Sequence, residues 1–284
     1  MQIFKEKQAL KNQITAFKKE GLSIGFVPTM GALHEGHLSL IEEALSSCDT
    51  VVVSIFVNPT QFDNPNDLEK YPRTFEDDVM RISQLENDRD IIIFSPPASE
   101  IYGNEVVSEK FSFDGLEYQM EGKFRDGHFN GVGTIVKKLF EMVEPDKAFF
   151  GEKDYQQLQI IKKLVEKLDL PIEIVGCPIH RETSGLARSS RNERLSAEDR
   201  QTASFIFRVL QKTKEDFGTK SANEIASWVE EEFKNHPAIE LEYFEIANAD
   251  TLESIQQREN GQKYRAFIAA YFGDVRLIDN IALN

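Results

Sequence analysis

Two cysteines in 284 residues, Cys48 and Cys177, provide no disulfide framework, and without CxxC spacing they suggest no zinc site. Basic residues are scarce too: 33 lysines and arginines face 48 aspartates and glutamates, a formal net charge of -15. So acidic a chain lacks the basic stripe that nucleic acid or an anionic membrane surface requires. Long apolar runs are missing, and the stretch MQIFKEKQALKNQ has no apolar core of a signal peptide. The expectation is a cytoplasmic protein with no nucleic-acid and no membrane partner. Two catalytic signatures are absent as well. No G-x-x-x-x-G-K-[ST] loop cradles a transferring γ-phosphate, and no G-x-S-x-G presents a nucleophile. If phosphate is bound, a few placed cations must hold it inside an acidic shell.

What is present is an ordinary globular balance, 40% hydrophobic and 29% charged, with room for a real core. Up to residue 179, short apolar runs (23–27, 50–57, 90–94, 147–150, 171–175) alternate with helical patterns (37–46, 75–85, 133–142, 155–168). That alternation predicts an α/β fold, a parallel sheet with helices on both faces, binding ligands at the carboxyl ends of its strands. Beyond residue 180 a polar loop, with Ser196 as N-cap, leads to two helical stretches (197–217, 222–235). Alternating runs then close the chain (239–246, 264–271 and DVRLIDNIAL). The expected organisation is two domains, 1–179 and a smaller α+β domain 180–284.

The chemistry-bearing motifs fall at predicted strand ends. PTMGALHEGH follows the first run and opens a helix, so unpaired N–H groups and a positive dipole end would attract an anion. His34 and His37, three apart on the first turn, could donate to phosphate oxygens, and Gly31 and Gly36 let the backbone approach. The plainer alternative is a capped turn with two ordinary histidines. Strand–turn–helix context and the clustering of scarce histidines (His34, His37, His128) favour the site. In GEKDYQQL, Lys153 offers a point charge, Asp154 either orients it or caps the helix, and Gln157 reaches for a carboxylate or hydroxyl. A solvated lysine on a capped helix is the rival there. ARSSRN places Arg188, Ser189, Ser190 and Arg191 in one loop suited to polyphosphate, or forms a surface charge run. Asn58 and Gln61 in VNPTQF present neutral amides for a small polar substrate. Asp77 and Asp78 either hold magnesium through water or simply begin a helix. Arg125 or His128, in a glycine-rich loop, could close over the site. Charge stabilisers without a nucleophile–base pair suit nucleotidyl transfer, which needs positioning and neutralisation.

FVPTMGALHEGHLSLI, FVNPTQF, YPRT, GHFNGVGTIV, FFGEKDYQQL and SSRN, in this order and spacing from Gly25 to Leu195, resemble the pantoate–β-alanine ligase family. The resemblance implies a Rossmann-like domain of the HIGH-motif nucleotidyltransferase type with a smaller C-terminal lid, as a homodimer. It implies ligation of pantoate to β-alanine with ATP through a pantoyl-adenylate, giving pantothenate, AMP and pyrophosphate. Carried over, Met30, Gly31, Ala32, Leu33, His34, Glu35, Gly36 and His37 bind ATP, with His37 the proton donor. Gly151, Glu152, Lys153, Asp154, His180 (through its backbone), Arg188, Ser189, Ser190 and Arg191 complete the ATP set. The catalytic group is His37, His34, Lys153 and Arg191. Gln61 and Gln157 bind pantoate, beside Asn58, and Asp77 and Asp78 are linked to Mg2+. Two departures stand out: Arg81 where some members have glutamine beside the acidic pair, and Arg188 where many have an uncharged residue or lysine.

Two rival readings fit some of the same residues. A nucleotidyltransferase that leaves the nucleotide on its product would release pyrophosphate but no AMP. A regulatory nucleotide-binding module would bind ATP without turnover and would not require Gln61 and Gln157.

Overall fold

The computed structural model describes residues 1–62, 65–85 and 90–284. Two compact units divide it. The first comprises 1–117, 121–152 and 157–178, and the second 118–120, 153–156 and 179–284.

In the first unit the elements run β1 (Gln2–Phe4), α1 (Lys7–Lys19), β2 (Ile24–Thr29), α2 (Glu35–Ser47), β3 (Thr50–Ile55), α3 (Pro65–Lys70), α4 (Phe75–Ser83) and β4 (Asp90–Phe94). There follow α5 (Ala98–Tyr102), α6 (Met120–Phe124), α7 (His128–Val143), β5 (Lys147–Gly151), α8 (Tyr155–Lys167) and β6 (Glu173–Cys177). Six strands pair in parallel in the order β1-β4-β3-β2-β5-β6. The expected parallel sheet is therefore present, and its order reverses at β2, between β3 and β5. Alternate strand residues feed opposite faces, which explains why the strands read as continuous apolar runs. Val27, Val51, Val53, Ile91, Ile93 and Phe149 join Leu40, Ile41 and Ala44 of α2 and Ile82 of α4 in one core cluster. Phe26, the neighbour of Val27, meets Phe140 of α7 edge to face, with centroids 6.2 Å apart.

The sequence reading omitted β1 and α1. The strand has three residues and lies at the sheet edge, too short for a periodic signal. The helix does carry Leu10, Ile14 and Phe17 buried at helical spacing.

The second unit holds α9 (Ala197–Ala203), α10 (Phe205–Asp216), α11 (Ala222–Lys234), β7 (Glu240–Asn248), β8 (Tyr264–Phe272) and β9 (Val275–Ala282). The strands form an antiparallel sheet, β7-β8-β9. Ile206, Val209, Ile225 and Val229 of the helices share a core with Ile246, Ile268 and Leu277 of the strands. Ser196 is the expected N-cap, in a reciprocal box with Asp199. The single helix expected over 197–217 breaks at Ser204, whose hydroxyl donates to the Gln201 carbonyl at 2.6 Å. A side chain bonding its own backbone in this way competes with helix continuation.

Candidate active site

Strand β2 ends at Thr29, whose hydroxyl donates to the Ser54 carbonyl (2.8 Å) and accepts from Gly31 N–H (3.2 Å). Gly31 then turns left-handed, φ 78°, and Ala32 follows at 51°. Glycine is required at 31 for a second reason: a Cβ there would stand 3.0 Å from Asp78 Oδ2. Asp78 lies buried on the first turn of α4 and clamps this loop. Its Oδ2 accepts from Ala32 N–H (3.0 Å), and its Oδ1 from Leu33 N–H (2.7 Å) and the Thr74 hydroxyl (3.2 Å). Burial raises the Asp78 carboxyl above the usual carboxylate range, against the opposing pull of those donors and of Arg81.

His34 is the N-cap of α2, and its Nδ1 accepts from Gly36 N–H at 3.2 Å. His37 reciprocates: its Nδ1 accepts from His34 N–H at 3.3 Å, and the rings lie 4.0 Å apart. Two histidines thus form a capping box normally built from hydroxyl and carboxylate side chains. An accepting Nδ1 places the hydrogen of each neutral ring on Nε2. The anion site expected from bare backbone amides differs here. Gly31, Ala32, Leu33, His34, Gly36 and His37 N–H groups each already have an acceptor. Beyond the backbone, the donors the two neutral rings carry are their Nε2–H groups. Glu35 pairs with Arg81 at 3.5 Å, so that cation serves the turn's surface.

The acidic pair splits, because adjacent helical residues point about 100° apart. Asp78 faces inward on backbone amides while Asp77 is exposed. Among the described residues no group of three His, Cys, Asp or Glu is arranged to hold a metal ion.

After β3, residues Pro59–Gln61 make a single 3-10 turn. Asn58, expected on substrate, is instead buried and committed to scaffolding. Its amide donates to Gln61 Oε1 (3.2 Å) and the Gly131 carbonyl (3.3 Å), and its Oδ1 accepts from Tyr102 and Thr60. His128 Nδ1 lies 2.8 Å from the Gln61 carbonyl, and Arg125 donates to that same oxygen at 3.3 Å. These two residues, considered for closing over the site, anchor Gln61 within the first unit. The side chain of Gln61 donates to Met30 Sδ at 2.9 Å, so the β2 and β3 loops meet at the switch point. Gly151 ends β5 with open space where a Cβ would be, and Glu152 and Gln157 are half-buried.

In the second unit Lys153 sits in a 3-10 turn with Nζ 3.6 Å from Asp154, a contact compatible with the orienting role. The Arg188–Arg191 loop leaves a short hairpin closed by an Arg181–Ala187 bridge and by Arg188 N–H donating to the His180 carbonyl (3.0 Å). Ser189 caps the following 3-10 turn by accepting from Arg191 N–H. Arg188 ion-pairs with Glu182 (3.2 Å) and Glu193 (3.0 Å), so much of its extra charge is already balanced.

A family model described as pantoate-beta-alanine ligase matches residues 2–282. Pantothenate synthetase of Christiangramia forsetii is 62% identical over 284 residues, all of both chains. That of Flavobacterium psychrophilum is 54% identical over 283 residues, again covering 100% of each. Among solved structures, pantothenate synthetase from Thermus thermophilus superposes with TM-score 0.90 at 38% identity, covering 100% of this chain and 99% of that one. A pantoate-beta-alanine ligase from Francisella tularensis, complexed with beta-gamma ATP and beta-alanine, gives 0.81 at 37%, covering 100% and 98%. With a family model spanning nearly every residue and relatives matched end to end, this chain belongs to the pantoate–β-alanine ligase family.

Proposed function

We propose that the chain joins pantoate to β-alanine at the expense of ATP, through a pantoyl-adenylate, the activity for which its relatives are named. The observation that carries this reading is the paired histidine turn at the strand-order reversal, where Met30 at the start of that turn meets the Gln61 side chain. A pantoate carboxylate oxygen attacks the α-phosphorus of ATP. The bond from that phosphorus to the α,β-bridging oxygen breaks, and pyrophosphate leaves with the electron pair. His34 and His37 neutralise charge gathering on phosphate oxygens, with Lys153 and Arg191 in the same service. The β-alanine amine then attacks the acyl carbon, loses a proton, and displaces AMP. Gln61 and Gln157 hold pantoate through amide hydrogen bonds.

Magnesium is part of the proposal only as a companion of ATP. The Asp77–Asp78 pair does not fit a protein-held ion, since backbone amides already occupy both Asp78 oxygens. A small octahedral cation carried by phosphate oxygens and water suits such a site. Cytoplasmic location and a homodimer complete the reading. No helix among the described residues is long and apolar enough to cross a membrane.

The test follows the leaving groups. Pantoate alone, without β-alanine, is expected to support exchange of labelled pyrophosphate into ATP, and AMP to appear once the amine is added. Exchange that needs β-alanine, or ADP as product, sinks the adenylate route. Pyrophosphate release with no AMP under any condition favours the nucleotidyltransferase instead.

A smaller prediction concerns Gly131. A Cβ there would lie 2.2 Å from the Thr60 carbonyl oxygen and 2.8 Å from Gln61 nitrogen, both backbone atoms. Gly131→Ala must therefore push the Gln61 turn aside. Its KM for pantoate is expected to rise on the order of tenfold or more, with the ATP KM little changed. Equal increases for both substrates in steady-state assays overturn the placement of pantoate at Gln61.

A further inference from the structure

The stretch DVRLIDNIAL was legible only as a strand, yet its two polar residues are buried: Asp279 is 5% exposed and Asn280 1%. In β9 the residues before them alternate, Val275 and Leu277 buried, Arg276 and Ile278 partly so. Asp279 continues that alternation and Asn280 breaks it, so two successive side chains on opposite faces are both enclosed. Asp279 takes the Arg181 guanidinium bidentately, at 2.6 and 2.9 Å. Arg181 also donates to the Gly185 carbonyl (3.0 Å) and lies over the Phe207 ring, 4.0 Å from its centre. The hairpin leading into Arg188–Arg191 is thereby braced at its root. Asn280 reaches the other phosphate-directed segment. Its Nδ2 donates to the Lys153 carbonyl at 2.8 Å, and its Oδ1 accepts from Arg265, whose guanidinium covers the Tyr155 ring at 3.9 Å.

We propose that Asp279 and Asn280 are positioning residues for the adenylation step, registering Lys153 and the Arg188–Arg191 loop against one strand. The inference rests on the ligase reading above. Lys153 lies in a single turn and carries a flexible side chain, so without a fixed carbonyl its ammonium can take many positions. The Nδ2–O bond fixes the backbone from which that side chain springs before substrate arrives, which narrows the positions its ammonium can reach. The Arg181–Asp279 pair does the same for the second segment. Two successive residues of one strand thus serve the two segments, Asp279 the hairpin and Asn280 the Lys153 turn.

The experiment uses the full chain and Asn280→Asp. That variant keeps the shape and the acceptor for Arg265 but turns an oxygen toward the Lys153 carbonyl where a donor stood. If Asn280 were only a packing residue, a carboxylate facing Arg265 would be tolerated. The expected result is a kcat for pyrophosphate exchange lower by roughly tenfold to a hundredfold, with the pantoate KM unchanged. In a Lys153→Ala background the same substitution is expected to cost little more, because one group acts through the other. Asn280→Ala, read through the same cycle, covers the case in which the aspartate variant fails to fold. Glu242→Gln breaks an ion pair with Arg276 between β7 and β9 and is expected to leave kcat unchanged. Wild-type kcat in both Asn280 variants, or losses that add to that of Lys153→Ala, overturns the proposal. Absence of AMP from the wild-type chain with all substrates would instead sink the ligase reading itself.

Discussion

His37→Ala is expected to lower the rate of adenylation by roughly two to three orders of magnitude, the usual consequence of losing one preorganised transition-state donor. The structure adds a complication, because the His37 ring also closes the start of α2. Losing its Nδ1 leaves His34 N–H without that acceptor, a capping loss of about 1 kcal/mol. His37→Gln separates the two roles. Glutamine at the third helical position can accept the same N–H, as in an ordinary capping box. It cannot place a ring N–H where Nε2 stands. Thermal unfolding should therefore show His37→Gln close to wild type and His37→Ala slightly less stable. Adenylation, followed by pyrophosphate exchange, should fall severely in both. A glutamine variant with near-normal exchange would reduce His37 to a helix cap.

Asp78→Ala is the second severe case, for a different reason. Removing the carboxylate takes these acceptors from the Ala32 and Leu33 N–H groups, in a loop whose next residue is His34. An unsatisfied buried donor costs about 1–3 kcal/mol, so both stability and activity should drop, the latter on the order of a hundredfold. A metal-ligand role makes a contrasting forecast. Raising magnesium would then partly restore the rate, and Asp77→Asn would share the defect. The clamp role forecasts no rescue at any magnesium concentration and near-normal kinetics for Asp77→Asn. Titrating magnesium against exchange rate in the three proteins decides between them.

These cases mark where the sequence could be read and where it could not. Alternating apolar runs and helical patterns carry the parallel sheet, since strands buried on both faces must be apolar throughout. The motif positions follow from the same pattern, because parallel strands all deliver their loops to one edge. Side-chain direction is harder. "DD" reads as two equal carboxylates, and only the turn of α4 makes one inward and the other exposed. Asn58 has the right chemistry for substrate, but the close pass of α7 at Gly131 claims its amide. Asp279 and Asn280 gave one faint signal, two polar residues inside an otherwise apolar run. Their partners lie 98 and 127 residues away, beyond any local pattern.

The Asp78 clamp also sets an order of events. Leu33 and its carboxylate partner are 45 residues apart in the chain. During synthesis the glycine turn emerges before the carboxylate that accepts from Ala32 and Leu33. Until α4 has docked, only short-range bonds from Thr29, His34 and His37 shape it. A nascent chain halted ahead of Asp78 therefore carries the full PTMGALHEGH motif with its turn only half held.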